Sequence, residues 1–286
     1  MVIRLVPTSL GPVEVAIGPG AGGSVLFFGG GHSTASTPLG GELYTELGYR
    51  TLTFSRPGYG RTAVGSLSAA EFVPAVGEVS AALGVTSAVA VVGLSFGGLQ
   101  AVHVATGLPR LAPRLILHSA APSSMPYPDT GLERLAAPLV FAPRVQRLTW
   151  RVVRALTSSD RGLRVMMASL SRLPVRQWWS QWTLADRAAA REIFAAMDSG
   201  CGFVNDLRQA SPRGAGHRGG LLRSVPCPTL VTASRHDGGV DFAHAEDFAA
   251  LIPDSRLVGT GASSHFAWLG PSRAILSRAI ADFLTQ

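Results

Sequence analysis

Short runs of apolar, often β-branched residues alternate along the chain with stretches that have helical spacing. The apolar runs end at Gly, Pro or Ser and show little in-out alternation, which is typical of strands covered on both faces of a parallel sheet. The sequence therefore predicts an α/β fold, with a mostly parallel sheet and helices on both faces. The predicted strands are 13–17, 25–28, 51–54, 88–92, 115–117, 229–233 and 256–258.

Helical spacing fills the segments between those strands, at 42–47, 69–83, 99–106, 242–251 and 273–284. Ser68 followed by Glu71 predicts a capping box at the start of the second helix. The glycines between Gly18 and Gly23 fit a dinucleotide-binding pattern. That pattern needs a helix to follow it, whereas a strand is predicted here, so we expect a hairpin turn instead.

The middle of the chain breaks the alternation. Between Pro122 and Ser224 no strand pattern appears, and the segments 132–156, 162–173 and 184–197 are predicted to be helices. We therefore predict an α/β core formed by residues 1–121 and 225–286. A helical cap, or lid, is predicted as an insertion at residues 122–224.

Composition excludes several classes of protein. With 47% hydrophobic and 15% charged residues among 286, the chain can bury a sizeable core. All 25 basic residues are arginine, which excludes lysine chemistry such as a Schiff base or a P-loop. Two cysteines, Cys201 and Cys227, are too few for a disulfide framework. No signal peptide or membrane-spanning stretch is evident, so we expect a cytoplasmic protein.

The formal net charge of +7 is concentrated in the predicted cap. Residues 122–224 hold 15 arginines and 7 acidic residues, whereas the rest of the chain holds 10 arginines and 11 acidic residues. Three interpretations stay open: solvated faces of amphipathic helices, attraction of an anionic substrate, or contact with an anionic membrane surface. No recognition motif accompanies the charge, so we expect no nucleic-acid partner.

The motif Gly93-Leu94-Ser95-Phe96-Gly97 lies between a predicted strand and a predicted helix. A serine hydroxyl is a weak nucleophile unless it is exposed on a sharp turn beside a base. In such a fold the acid and the base follow the serine in that order. Asp237 and His265 do so, each in a loop after a predicted strand. Asp129 is an alternative acid.

On these residues the chain resembles the serine α/β-hydrolase family, over nearly its whole length outside the predicted cap. Two further stretches resemble family motifs: Phe28-Gly29-Gly30-Gly31 the oxyanion loop, and Pro57-Gly58-Tyr59-Gly60 the Pro-Gly-x-Gly turn. The resemblance implies an α/β-hydrolase fold and hydrolysis of an ester or related acyl bond through an acyl-serine, with no cofactor. No metal-ligand set is evident around His236 and His244.

The resemblance also implies roles for particular residues. Ser95 is expected to be the nucleophile, His265 the base and Asp237 the acid that orients it. Backbone N–H groups are expected to form the oxyanion hole, those of Phe96 and of Gly30 or Gly31. The candidate substrate contacts are His32, Trp178, Trp179, Trp182 and Phe266, of which the tryptophans are expected mainly in the core of the cap.

The expected substrate is a small, largely apolar acyl compound, but the fold supports other chemistry. The alternatives are hydrolysis of a C–C bond, peptide hydrolysis as by an aminopeptidase, a perhydrolase or haloperoxidase-like activity, and a lyase or cyclase of secondary metabolism. A C–C hydrolase favours an arginine of the cap that binds a carboxylate. A non-catalytic binding protein is a further alternative of a different class.

Overall fold

The computed structural model describes residues 1–129, 140–142 and 144–285, and its centre is one sheet of eight strands. Their spatial order is β1-β2-β4-β3-β5-β6-β7-β8. The pairs β1–β2 and β2–β4 are antiparallel and all the others are parallel, which confirms the predicted fold class. The strands are β1 Val2–Val6, β2 Val13–Ile17, β3 Ser24–Phe28, β4 Arg50–Phe54, β5 Ala90–Leu94, β6 Leu115–His118, β7 Thr229–Ala233 and β8 Ser255–Gly259.

Alternate residues of the central strands point into two separate cores, because side chains change face at every residue of a strand. In β3, Leu26 and Phe28 join the core on one face, whereas Val25 and Phe27 join the core on the other. The first face is covered by the helices Ala69–Ala82, Gly97–Gly107 and Phe242–Leu251, and the second by Glu42–Glu46 and Arg273–Leu284.

The predicted capping box is present at the start of the helix Ala69–Ala82. The Ser68 hydroxyl accepts the backbone N–H of Glu71, and the Glu71 carboxylate accepts the backbone N–H of Ser68. This reciprocal pair satisfies two of the N–H groups that every helix start leaves unbonded.

The connection between β6 and β7 holds most of the remaining helices. They are Gln146–Thr157, Asp160–Ser169, Leu184–Ala196, Gly202–Gln209 and Ala215–Arg223. The predicted helix 132–156 lies partly outside the described residues; among them Val140 is helical, and a separate helix runs from Gln146 to Thr157. None of the helices in the described ranges is long and apolar enough to cross a lipid bilayer.

Three details differ from the sequence prediction. The strand β1 was not predicted, because it lies at the sheet edge and four of its five residues are exposed. The two helices after Cys201 were not predicted either, because Gly and polar residues dilute their apolar spacing. The predicted hairpin turn at Gly18 to Gly23 is wrong: β2 pairs with β1 and β4, whereas β3 pairs with β4 and β5.

Candidate active site

Ser95 lies on the tight turn that joins β5 to the helix Gly97–Gly107. Its φ angle is +52°, a left-handed conformation that a residue with a side chain adopts only when its surroundings enforce it. The Ser95 N–H donates to the carbonyl of His118 at 3.0 Å, and the Ser95 carbonyl accepts the N–H of Ala121 at 3.1 Å. Its backbone is therefore fixed by the end of β6 and the loop after it.

Glycines on either side of Ser95 make this turn possible. A Cβ atom at Gly97 would lie 2.1 Å from the carbonyl oxygen of Phe28, and one at Gly93 would lie 2.6 Å from the Cα of Gly98. Both distances are far below van der Waals contact. The spacing of the G-x-S-x-G motif thus reflects close backbone packing of β3, β5 and the following helix.

His265, which is partly buried, and Asp237, which is buried, form a hydrogen-bonded pair. Asp237 Oδ2 lies 2.8 Å from His265 Nδ1, while Asp237 Oδ1 accepts the N–H groups of Gly239 and Val240 at 2.7 and 3.0 Å. Burial by itself lowers the pKa of His265, but the charge of Asp237 and the hydrogen bond to it outweigh burial and raise that pKa above its ordinary value. The carboxylate therefore favours a protonated imidazole.

The backbone of residues 170–172 holds the two loops that carry this pair. The carbonyl of Leu170 accepts both the N–H of His265 at 2.8 Å and the N–H of Gly238 at 3.1 Å. The Arg172 N–H donates to the carbonyl of His236 at 2.8 Å. Sequence analysis missed this contact, because bonds between backbone groups leave no signature in residue type.

Asp129, the alternative acid, does not contact His265. Its carboxylate oxygens accept the backbone N–H of Asp241 and contact Nε2 of His244, each at 2.9 Å. His244 Nδ1 in turn lies 2.9 Å from the Ser123 hydroxyl. Of the two candidate acids, only Asp237 is paired with His265.

A buried arginine holds the glycine loop that follows β3. Arg56 donates from Nε to the carbonyl of Gly29 at 3.1 Å and from Nη2 to the carbonyl of Gly30 at 2.9 Å. It also makes two hydrogen bonds to Asp206, at 2.5 and 2.8 Å. Since one buried side chain binds both carbonyls, the loop has a fixed orientation.

Three backbone N–H groups near Ser95 have no hydrogen-bond acceptor within the described part of the chain. They belong to Gly30, Gly31 and Phe96. All three residues line the same cavity as Ser95 and His265, and a Cβ atom at Gly30 would lie only 3.1 Å from the Cβ of Ser95. Such donors can bind a negative charge that develops on a substrate oxygen.

The cavity measures about 250 Å³ and is mainly apolar. Of the predicted substrate contacts, His32 and Phe266 line it. The expectation that a tryptophan of the group Trp178, Trp179 and Trp182 faces the cavity is wrong: all three are buried in the core on the second sheet face. They pack on one another with ring centroids 5.0 to 6.0 Å apart. Trp150 and Trp268 line the cavity instead.

The sequence of this chain matches a known protein family. A family model described as the alpha/beta hydrolase family matches residues 16–278, which include Ser95, Asp237 and His265. The chain belongs to the alpha/beta hydrolase family. It is a hydrolase of that fold by this membership, while the bond that it cleaves is a separate question.

Proteins similar to this alpha/beta hydrolase match it over nearly its whole length. It is 30% identical over 278 residues to the uncharacterized hydrolase YcgS of Bacillus subtilis (strain 168). The matched region covers 96% of this chain and 95% of that protein. An alpha/beta hydrolase fold protein from Nakamurella multipartita matches with a TM-score of 0.75 at 23% identity, over 99% of each chain. A bromoperoxidase from Bacillus anthracis matches with a TM-score of 0.69 at 17% identity, over 100% of each chain. The two solved structures share the fold with this hydrolase.

No group of three or more His, Cys, Asp or Glu residues that could hold a metal ion occurs in the described ranges of this alpha/beta hydrolase. The residues that converge on its cavity are instead a hydroxyl, an imidazole bound to a carboxylate, and free backbone donors. This set suits attack on a carbonyl carbon followed by stabilisation of the resulting oxyanion.

Proposed function

We propose that the protein hydrolyses a carboxylic ester, or a related acyl bond, through an acyl-serine intermediate. The observation that carries the proposal is that Ser95, on its strained turn, lines one cavity with a histidine hydrogen-bonded to a buried aspartate. Nucleophile, base and orienting acid are the three parts that this mechanism needs.

In the proposed reaction, the Ser95 oxygen attacks the carbonyl carbon of the ester while His265 Nε2 takes the hydroxyl proton. The imidazolium then gives this proton to the leaving alcohol as the C–O bond breaks. Water attacks the acyl-serine by the same route, and the carboxylic acid leaves. Asp237 holds Nδ1–H and stabilises the charged imidazole throughout.

The oxyanion of each tetrahedral intermediate is proposed to bind the N–H groups of Phe96 and of Gly30 or Gly31. A donor of this kind contributes about 3–4 kcal/mol to the stability of the transition state. The free N–H groups and the fixed carbonyls of the glycine loop support this assignment.

We propose further that residues 122–224 act as a cap over the site, because the helix Gln146–Thr157 supplies Trp150 and Val153 to the cavity wall.

The cavity wall favours a small, neutral, largely apolar acyl substrate. Among the described residues that line it, neither Arg, Asp nor Glu is present. A C–C hydrolase that grips a substrate carboxylate with an arginine of the cap is therefore less well supported than an esterase. The described arginines of residues 122–224 do not line this cavity, so we propose no role for them in substrate binding.

Labelling with a fluorophosphonate tests the proposal directly, because this probe reacts preferentially with an activated serine. We expect the label on the peptide that contains Ser95, together with turnover of p-nitrophenyl esters of short acids. Ser95→Ala should lose both. Ser169→Ala, which removes a second hydroxyl from the same cavity, should keep the label. An unlabelled wild type, or full ester turnover by Ser95→Ala, would rule out the acyl-serine.

A further inference from the structure

His32 brings to the cavity a polar group that the proposed reaction does not use. It lies two residues beyond Gly30, in the loop that passes beside Ser95, and its φ angle is +61°. Its ring is packed against Phe203 and Phe141, with centroids 3.9 and 4.2 Å away. The imidazole is therefore held in one position, and its backbone carbonyl is tied by the N–H of Asp198 at 2.9 Å.

The hydrogen bonds of Ser199 determine which ring nitrogen of His32 carries the proton. Ser199 is fully buried, and its hydroxyl oxygen accepts the indole N–H of Trp150 at 2.9 Å and lies 2.7 Å from His32 Nδ1. Among the described residues, Nδ1 is the sole acceptor within reach of the Ser199 proton. A buried hydroxyl without an acceptor is costly. Ser199 therefore donates to Nδ1, and the hydrogen of the neutral ring is on Nε2.

The ring also stays neutral. Burial, and after it the charge of Arg56, lowers the pKa of His32 to about 3. Within the described chain, Nε2 has no hydrogen-bond partner although His32 lines the cavity. Apart from the Ser95 hydroxyl, the hydroxyls of the described wall are already bonded: Tyr127 to the carbonyl of Gly239 at 2.7 Å and Ser169 to the carbonyl of Met166 at 2.7 Å.

We infer that the Nε2–H group of His32 is a polar subsite, which binds a neutral hydrogen-bond acceptor of the substrate outside the scissile ester, such as a ketone or ether oxygen. A carboxylate is disfavoured there, because a neutral donor in an apolar cavity does not offset the desolvation of a charge. The inference deepens the proposed function, since it names a class of ester for the same cavity.

Nuclear magnetic resonance of the protein labelled with ¹⁵N-histidine tests the donor without any turnover. We expect the His32 signals to show a protonated Nε2 and an unprotonated Nδ1, unchanged from pH 5 to pH 8. In Ser199→Ala the tautomer protonated at Nδ1 should appear, because the hydroxyl that donates a hydrogen bond to Nδ1 is removed. A wild-type ring protonated at Nδ1, or one that titrates in this range, would overturn the inference.

Ligand binding to Ser95→Ala tests the subsite itself. The probes are methyl esters of 4-oxopentanoic, 5-oxohexanoic and 6-oxoheptanoic acids and acetate esters of the matching oxo alcohols, each compared by calorimetry with its analogue that lacks the ketone. We expect at least one keto ester to bind about tenfold more tightly than its analogue.

Two variants in the Ser95→Ala background then test the role of His32. His32→Leu should abolish the preference for the ketone, and His32→Gln, which keeps an N–H at the position of Nε2, should retain part of it. Equal binding of every pair to Ser95→Ala, or an unchanged preference in His32→Leu, would overturn the subsite. Ser95→Ala binds the probes without forming an acyl-serine. The ketone preference can therefore be seen even if the proposed reaction is wrong, and the two failures are distinguishable.

Discussion

Arg56 and Asp206 form a buried ion pair that joins the glycine loop after β3 to the helix Gly202–Gln209. Each side chain is 6% exposed, and two hydrogen bonds connect them. Burial by itself lowers the pKa of Arg56, but the charge of Asp206 and its hydrogen bonds raise that pKa above the ordinary value. The guanidinium therefore stays charged while it binds the carbonyls of Gly29 and Gly30.

Removing this arginine should affect both stability and activity. Arg56→Met leaves the buried Asp206 carboxylate without its cationic partner, with the Tyr59 hydroxyl still donating to it, so we expect the free energy of unfolding to fall by about 3–5 kcal/mol. Arg235→Met is the matched control, because the pair of Arg235 with Glu246 is largely exposed and should contribute at most about 1 kcal/mol. Denaturation in urea measures both variants.

A double variant separates the two effects of Arg56. Arg56→Met with Asp206→Leu removes the unpaired charge, so it should recover part of the lost stability. The carbonyls of Gly29 and Gly30 stay unheld, however, so kcat for a p-nitrophenyl ester should remain at least tenfold below wild type. Full recovery of kcat would mean that Arg56 does not orient the glycine loop.

Gly97 should tolerate no side chain. In Gly97→Ala the new methyl group meets the carbonyl of Phe28, so we expect a loss of about 3 kcal/mol of stability or more, since the backbone must shift. Gly41→Ala is the control, because nothing lies within 4 Å of a Cβ atom there; its stability should change by less than about 1 kcal/mol. Thermal unfolding of the two variants compares them, and equal midpoints would contradict the packing argument.

Replacing each candidate acid separately by asparagine distinguishes the roles of Asp237 and Asp129. Asp237→Asn should lower kcat by about 10³–10⁴-fold with little effect on KM, because the imidazole loses its orientation and the charge that stabilises it. Asp129→Asn should leave kcat within a few-fold of wild type, since Asp129 contacts His244. Steady-state kinetics on one ester suffices, and the reverse pattern would assign the acid to Asp129.

The pH profile should report His265. The base works as the neutral imidazole, so kcat/KM should fall as the pH drops through its pKa. Because Asp237 raises that pKa above the ordinary 6.5, the midpoint of the acid limb should lie above pH 6.5. In Asp237→Asn burial is left unopposed, and the limb of the residual activity should move to lower pH. If the midpoint of the acid limb is unchanged in Asp237→Asn, the limb reports the titration of a group other than His265.

The residues of the proposed site could be predicted from the sequence because residue type and order identify them. Ser95 within its glycines, and then Asp237 and His265 in loops after strands, follow from local patterns that the backbone geometry requires. The central strands were predictable for a similar reason, since burial on both faces demands unbroken apolar runs.

What the sequence did not reveal depends on contacts between distant residues. Arg56 and Asp206 are 150 positions apart in the sequence. Neither residue type indicates which residue will be its partner. The aromatic residues give a second example. Trp178, Trp179 and Trp182 were expected in part at the cavity, but a buried tryptophan has the same appearance in sequence whether it faces a core or a ligand.

Leu170 has a consequence for how this enzyme could change during evolution or engineering. Its single carbonyl oxygen aligns the loops of both Asp237 and His265, and it comes from the same connection between β6 and β7 that shapes the cavity wall. This one connection therefore contributes both to the cavity wall and to the position of the Asp237–His265 pair. A transplanted connection from another family member would have to reproduce this backbone contact, so point substitutions in the wall are the safer route to a new substrate.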